Sequence, residues 1–453
     1  MKLVNKSFSD KKKVLKRSKT GQEAEFHILN SNGTMSNKAL EVISELKLKY
    51  PDIPVTKEIG LNMIEFGCYP DIKTYNPALN IIDSIQKAQE ICESKGLTLF
   101  PFSTYPGKFD PIIQDGQTYR IKQKIFGDEK TKTTCRVTGY HNHYTLPKSV
   151  FDEKKKELRF YKKSKLKRTM VSSYNFEIAA DPALTLFTQS SPFYQGRNFA
   201  KDTRMLVYRG GKKLKYMDGV YANLQQLGGL PPYKQTATDI LTSLNKRWDR
   251  WKREVKKVAP NVNFSKLYPY NLDIGWNPIK INKHGTLEQR GMDVNFVSIL
   301  IGVGVLLKFC LKKIQREFIE VMPVDFGIED AFKLENDVLY IPPHSYVRNK
   351  LQYWGAYDGY SKKEMYNYVK RFFNFARSVT PKRYAPIIRP VYDMIDNKKS
   401  MSDRILSYAK NKGFVNEGKI NNKDAAQLAL YYADKMPKDL EETKKKLEKF
   451  TAI

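Results

Sequence analysis

The chain has 453 residues, 41% of them hydrophobic and 12% aromatic, a globular composition that excludes wholesale disorder and fibrous repeats. Lys and Arg number 79 against 48 Asp and Glu, a formal charge of +31, which predicts attraction to anions such as nucleic acid, an anionic membrane surface or phosphorylated small molecules. The scattered cysteines Cys68, Cys92, Cys135 and Cys310 form no Cys-x-x-Cys pair, which argues against a disulfide framework or structural zinc site and for a reducing, cytoplasmic setting.

Residues 1–20 carry eight Lys and Arg with no apolar run behind them, so they read as a basic flexible tail rather than a secretory signal. The segment from Gly21, GQEAEFHIL, alternates in the strand manner and is followed by the turn pair Asn32-Gly33. A helix is predicted from about Asn37, with Leu40, Ile43 and Leu46 on one face and Pro51 as its stop. A second runs from Asn80 to Ser94 through Ile81, Ile85, Ala88 and Cys92, closed by Gly96. The stretch from about 115 to 225 is rich in β-branched and aromatic residues and reads as strands with loops. Leu241, Leu244, Trp248, Trp251 and Val255 then step by three and four, the spacing of an amphipathic helix. Phe296 to Leu307 is apolar on all sides, which predicts a buried helix, and it falls short of the roughly 20 residues a membrane span needs. Beyond about 330 the chain reads as helical and Lys-rich, ending in the charged, solvated segment DLEETKKKLEKF. The simplest division is the tail at 1–20, one large α+β domain at 21–330, and a helical C-terminal extension at 331–453 packed on it.

Several ionisable residues sit in apolar frames. Glu23 and Glu25 lie two apart in a predicted strand, so both carboxylates share a face with His27 beside them. A hard divalent cation is one natural companion for such a face, and a plainly polar outer face on an edge strand is the other. Glu58 and Glu65 frame the apolar IGLNMI, where Glu65 is either salt-bridged to one of many cations or a metal ligand. His141 and His143 share a strand face by the same period of two. Glu288 and Arg290 do so in GTLEQRGMDVN, downstream of Lys280 and Lys283; a carboxylate for Mg²⁺ beside cations for phosphate suits a nucleotide site. No Gly-x-x-x-x-Gly-Lys-Ser/Thr loop and no strand-linked Gly-x-Gly-x-x-Gly occurs, which excludes a P-loop or Rossmann site.

Taken in order, GQEAEF, GLNMIEFGCYPD, TGYHNHYTLP, SSPFYQGR, NPIKINKHGTLEQRGMDVN and RNKLQYWGAYDG resemble the glutamate–cysteine ligases and related ATP-dependent carboxylate–amine ligases over about residues 21–360. The resemblance implies a glutamine-synthetase-like catalytic fold at 21–330, an antiparallel sheet curved into a funnel and flanked by helices. It implies ATP and Mg²⁺ as cofactors and an amino acid as substrate, while the positive charge, untypical of that family, suits a small acidic peptide as substrate. By the same resemblance Glu23, Glu25, Glu58, Glu65 and Glu288 are metal ligands, and His141 lies near metal and phosphate. Arg290 stabilises the transferred phosphoryl group, Lys280 contacts the nucleotide, and Arg197 meets a substrate carboxylate. The implied reaction is an amide bond, γ-glutamyl in the simplest case, made through an acyl phosphate.

Two other readings share these residues. Guanidino phosphotransferases resemble the same fold and would stop at a phosphorylated nitrogen. The charge of +31 and the run KKKELRFYKKSKLKR at 154–168 suit a nucleic-acid-binding protein on a retired ligase scaffold, or a non-specific polyanion contact. A solvated basic surface is the simpler account of that run.

Overall fold

A computed structural model describes residues 18–147, 149–159 and 164–451. Most of the expected basic tail, residues 1–17, lies outside the described residues, as do 160–163 of the Lys-rich run. The scaffold is a seven-stranded antiparallel sheet with helices against one face. Its strands are β1 (Thr20–Asn30), β2 (Val55–Lys57), β3 (Met63–Phe66), β4 (Leu97–Phe100), β5 (Gly139–Thr145), β10 (Ile279–Asn282) and β11 (Thr286–Asp293). They run in the order β10-β11-β5-β1-β3-β2, with β4 also paired to β1. Two short hairpins supply the intervening strands, β6 (Phe151–Asp152) with β7 (Glu157–Leu158), and β8 (Phe193–Tyr194) with β9 (Arg197–Asn198).

Alternation separates the two sheet faces. Ala24, Phe26 and Ile28 of β1, Tyr140 and Tyr144 of β5, Ile64 and Phe66 of β3 and Leu287 of β11 are buried on the apolar face. Three helices cover it: α2 (Tyr75–Ser94), α5 (Lys165–Thr188) and α8 (Val297–Glu317). As its sequence predicts, α8 is buried nearly all round. Gly304 of α8 admits the sheet at close range, since a Cβ there would lie 2.8 Å from the Tyr140 hydroxyl and 2.9 Å from the Gln22 amide. The C-terminal helices close over α8, with α9 (Lys363–Val379), α10 (Ala385–Asp396) and α13 (Met436–Glu448) joining one apolar core that runs from Ala24 to Leu447.

Three sequence expectations need correction. The first helix, α1, spans Ala39–Lys49 and buries Ala39, Val42, Ile43 and Leu46, whereas Leu40 is 41% exposed, one position off the inward stripe. The stretch from 115 to 225 is mainly helical. It holds α3 (Gln117–Phe126), α4 (Asp128–Cys135), α5 and α6 (Thr203–Arg209), and only β5 among the long strands. The β-branched and aromatic residues of α5 are there for burial between sheet and C-terminal helices, and packing overrides their strand propensity. The last helix is amphipathic rather than solvated throughout, because Leu440 and Leu447 face the core.

Helix α5 also carries acids into that core. Glu177 is 0% exposed and neither carboxylate oxygen has a hydrogen-bond partner. Burial, with Glu288 and Asp181 nearby, pushes its pKa well above the ordinary 4.5, which favours the neutral acid. The folded state then binds the extra proton, and this group's contribution to stability falls as pH rises above the unfolded value. Glu177→Gln is expected to gain thermal midpoint over wild type at about pH 8 and little at about pH 5. An equal gain at both would sink the neutral-acid assignment. One turn on, Asp181 accepts two hydrogen bonds from Arg209, at 2.5 and 2.9 Å, in an ion pair 0% and 1% exposed. Gly291 in the irregular part of β11 leaves room for it, because a Cβ there would lie 2.4 Å from the Arg209 guanidinium.

Candidate active site

The register of the sheet assembles the site. Across β1 and β5, Glu23 lies opposite His141 and Gly21 opposite His143. Glu25 lies opposite Glu65 of β3, and Glu288 of β11 lies between His143 and Lys280 of β10. Partners directly opposite share a face, and so do residues two apart. Seven ionisable side chains from five strands therefore gather on the face opposite α2, α5 and α8.

His141 is the hub. Its Nδ1 lies 3.0 Å from Glu23 Oε2 in a hydrogen bond, and its Nε2 lies 3.5 Å from Glu25 Oε1 without one. Two sets of ligand atoms, Glu23–His141–Glu288 and Glu25–Glu65–His141, each fall within 4.8 Å of one another. Supporting bonds orient the donors. Glu25 Oε2 accepts the Gly139 N–H at 2.6 Å, Glu65 Oε1 accepts the Thr56 hydroxyl at 2.7 Å, and Glu288 Oε2 accepts the Asn282 amide at 2.5 Å. His143 contacts the Thr286 hydroxyl through Nδ1 at 3.0 Å, leaving its Nε2 3.4 Å from Glu23 Oε1 and without a hydrogen bond.

The electrostatics divide the carboxylates. Burial and the neighbouring Glu58 and Glu23 push Glu65 well above its ordinary range, while burial and Glu25 lift Glu58 to about 7. Burial would also raise Glu288, but Arg290, His143 and Lys280 together hold it down near 2. Burial likewise works against Glu23, and His143 and His141 outweigh it. Carboxylates crowded in this way repel one another unless a cation joins them. Oxygen donors from four Glu with a buried imidazole nitrogen lacking a hydrogen bond form a donor set suited to divalent cations, so the residues present fit Mg²⁺.

Cations line the opposite side of the cluster. Arg290 lies 3.4 Å from Glu288 and is raised further by Glu288 and Glu25 against the cost of burial. Burial brings Lys280 down to about 8. Lys122 of α3, its pKa lowered by burial, stands within electrostatic reach of both Glu58 and Arg290. Behind Arg290, the Arg204 guanidinium of α6 donates to the Arg290 carbonyl at 3.3 Å and lies over the rings of Tyr208 and Trp276, which stack at 4.4 Å. Gly139 makes this possible, because a Cβ there would lie 2.0 Å from the Arg204 guanidinium.

Of the residues picked out from sequence, Glu23, Glu25, Glu65, His141, His143, Glu288, Arg290 and Lys280 meet here. Glu58 stands beside the cluster but in neither ligand set, its Oε2 accepting the adjacent Ile59 N–H at 3.3 Å. His27 is fully buried beyond it, against the Asn62 amide and the edge of Phe109, with burial bringing its pKa to about 4. Arg197 is exposed on the β8–β9 hairpin, where its backbone lies opposite Lys419 in the strand register, away from the cluster. Lys122, Arg204, Tyr208 and Trp276 were missed. They arrive from separate helices and a loop, and no local spacing marks them.

By sequence, the chain matches no protein-family profile and no curated protein. By structure, it superposes on glutamate–cysteine ligase from Francisella tularensis in complex with AMP, with a TM-score of 0.55 and 11% identity, over 96% of this chain and 93% of that one. The two structures share one fold. A bifunctional glutathione synthetase from Pasteurella multocida matches with a TM-score of 0.52 and 12% identity, over 94% of this chain and 54% of the other, so the chain spans about half of that protein. The architecture is mixed helix and antiparallel sheet, and no helix among the described residues is long and apolar enough to cross a membrane.

Proposed function

We propose that the protein is an ATP- and Mg²⁺-dependent ligase that joins a carboxylate, most simply the γ-carboxylate of glutamate, to an amine such as cysteine through an acyl phosphate. One observation carries the reading. Two overlapping ligand sets share His141 on the sheet face opposite α2, α5 and α8, with Arg290 and Lys280 beside them. On this reading that face is the wall of a funnel that receives the nucleotide from one side and the acid from the other.

A carboxylate attacking the terminal phosphate of ATP is an encounter of two anions, so the protein must supply countercharge. Glu23, Glu25, Glu65, Glu288 and His141 would hold divalent cations, which when bound neutralise phosphate oxygens and polarise the group under attack. Arg290, fixed by Glu288 and backed by Arg204, meets the charge that develops on the transferred phosphoryl group. Lys280, close to neutrality at about 8, adds a nucleotide contact. The Glu23 bond holds the His141 ring, keeping Nε2 toward Glu25 and Glu65. Arg197 has no part in this reading.

Purified protein with ATP and Mg²⁺ would be incubated with pooled amino acids and amines, with and without glutamate, and products read by mass spectrometry. The expected result is ADP and a new glutamate-dependent amide, both lost in Glu65→Gln. ADP with a phosphorylated nitrogen and no amide would make the protein a phosphotransferase. Absence of nucleotide turnover with every pool would remove the ligase reading.

A further inference from the structure

A cavity of about 670 Å³ opens where α5 and α7 (Ala237–Val258) begin, and it shares no residue with the carboxylate cluster. Its size falls within the roughly 300–1,000 Å³ of ordinary ligand pockets. The floor is apolar, made by the buried Val150, Leu158, Met170 and Val171. The rim is cationic, made by Arg159, Lys165, Lys167 and Arg168.

The charge of that rim is largely uncompensated. Arg159 alone has an acid partner, Asp152 at 3.3 Å, while among the described residues Lys165, Lys167 and Arg168 make no ion pair. Among the described residues no acidic side chain lines the cavity. Asp239, in the first turn of α7, is closed into a capping box with Thr236. The two helix starts add partial positive charge in the same place.

An anionic occupant must therefore also offer something apolar to the floor. Nucleic acid suits the rim but not the apolar floor, and among the described residues that line the cavity none offers the aromatic ring on which single-stranded bases stack. A peptide with one apolar side chain between carboxylates satisfies both. We propose that this cavity docks an acidic peptide segment, its apolar side chain on the floor and its carboxylates against Arg159, Lys165, Lys167 and Arg168. This holds whether or not the protein is a ligase.

The test is fluorescence anisotropy with the full chain and a fluorescein-labelled Glu-Glu-Leu-Glu-Glu peptide at about 0.1 M salt, where screening still permits contact-range attraction. Saturable binding is expected. It should weaken at least about tenfold in the double variant Lys167→Glu, Arg168→Glu, and weaken several-fold when the peptide's Leu is replaced by Ser. The reversed charges lie in the first turn of α5, where acids suit the helix, so the variant should keep its thermal midpoint. The control variant Lys423→Glu, Lys438→Glu, on exposed positions elsewhere, should bind like wild type. Equal loss in both double variants would reduce the effect to net charge and overturn the proposal. So would absence of saturable binding, or displacement of the peptide by a tighter-binding single-stranded oligonucleotide, which would make the surface a nucleic-acid contact.

Discussion

On the proposed function, Glu288→Gln is expected to cost at least about a thousandfold in amide formation while leaving the fold intact, since a carboxylate that holds a metal acts on charge that develops only in the transition state. Burial would raise the Glu288 carboxyl, but Arg290, His143 and Lys280 hold it near pKa 2. Its loss removes one ligand of the Glu23–His141–Glu288 set and frees Arg290 from its 3.4 Å partner. The measurement is turnover of ATP and amide by mass spectrometry, with circular dichroism and the thermal midpoint as controls. Mg²⁺ should raise the midpoint of wild type more than that of the variant, because a ligand that binds only the folded state stabilises it. ATP turnover within about tenfold of wild type would remove Glu288 from the metal site.

The second large effect is structural. Asp181→Ala is expected to cost about 3–5 kcal/mol, because it leaves the Arg209 guanidinium buried without its counter-ion. Joint replacement, Asp181→Leu with Arg209→Met, should recover most of the loss, since packed apolar side chains substitute well for a buried pair. Gln352, which accepts from Arg209 at 2.6 Å, and Gln289, which donates to Asp181 at 3.2 Å, lose partners in the double variant and keep the recovery from being complete. Denaturation midpoints of wild type, Asp181→Leu, Arg209→Met and their double variant form the cycle. Additivity of the two single effects to within about 0.5 kcal/mol would show that the pair is not coupled.

This pair lies under the part of β11 that carries the site, which connects the two predictions. Gln289 and Gly291 touch Asp181 and Arg209 from one side of the strand, while Glu288 faces the cluster from the other. The buried pair thus sets the path of the strand that delivers Glu288 and Arg290.

The period of two along GQEAEFHIL, TGYHNHYTLP and GTLEQRGMDVN made Glu23 with Glu25, His141 with His143, and Glu288 with Arg290 legible as pairs, because in any strand such residues share a face whatever lies beside it. The same rule overreached at His27. Period alone cannot say where along β1 the open face ends, and the loop bearing Asn62 covers the strand there. The helix α7 and the buried α8 were equally readable, the first from its stripe and the second from its unbroken apolar run. Helix α5 was not. Its Ser, Thr, Phe and Tyr favour strands or caps locally, and only burial on every side makes them helical.

What the sequence determined by itself is therefore local: which residues pair on a strand face, which segments hide from water, and that the chain carries a large positive charge. Tertiary structure decided which pairs meet. Strand order puts β5 between β1 and β11, so His141 stands opposite Glu23 and His143 opposite Glu288 across gaps of more than a hundred residues. It also brought Lys122, Arg204, Tyr208 and Trp276 to the cluster and left Arg197 in solvent. The physical reason is range: side-chain periodicity acts over a few residues, whereas a site built from five strands exists only once long-range hydrogen bonding and a shared core fix their register.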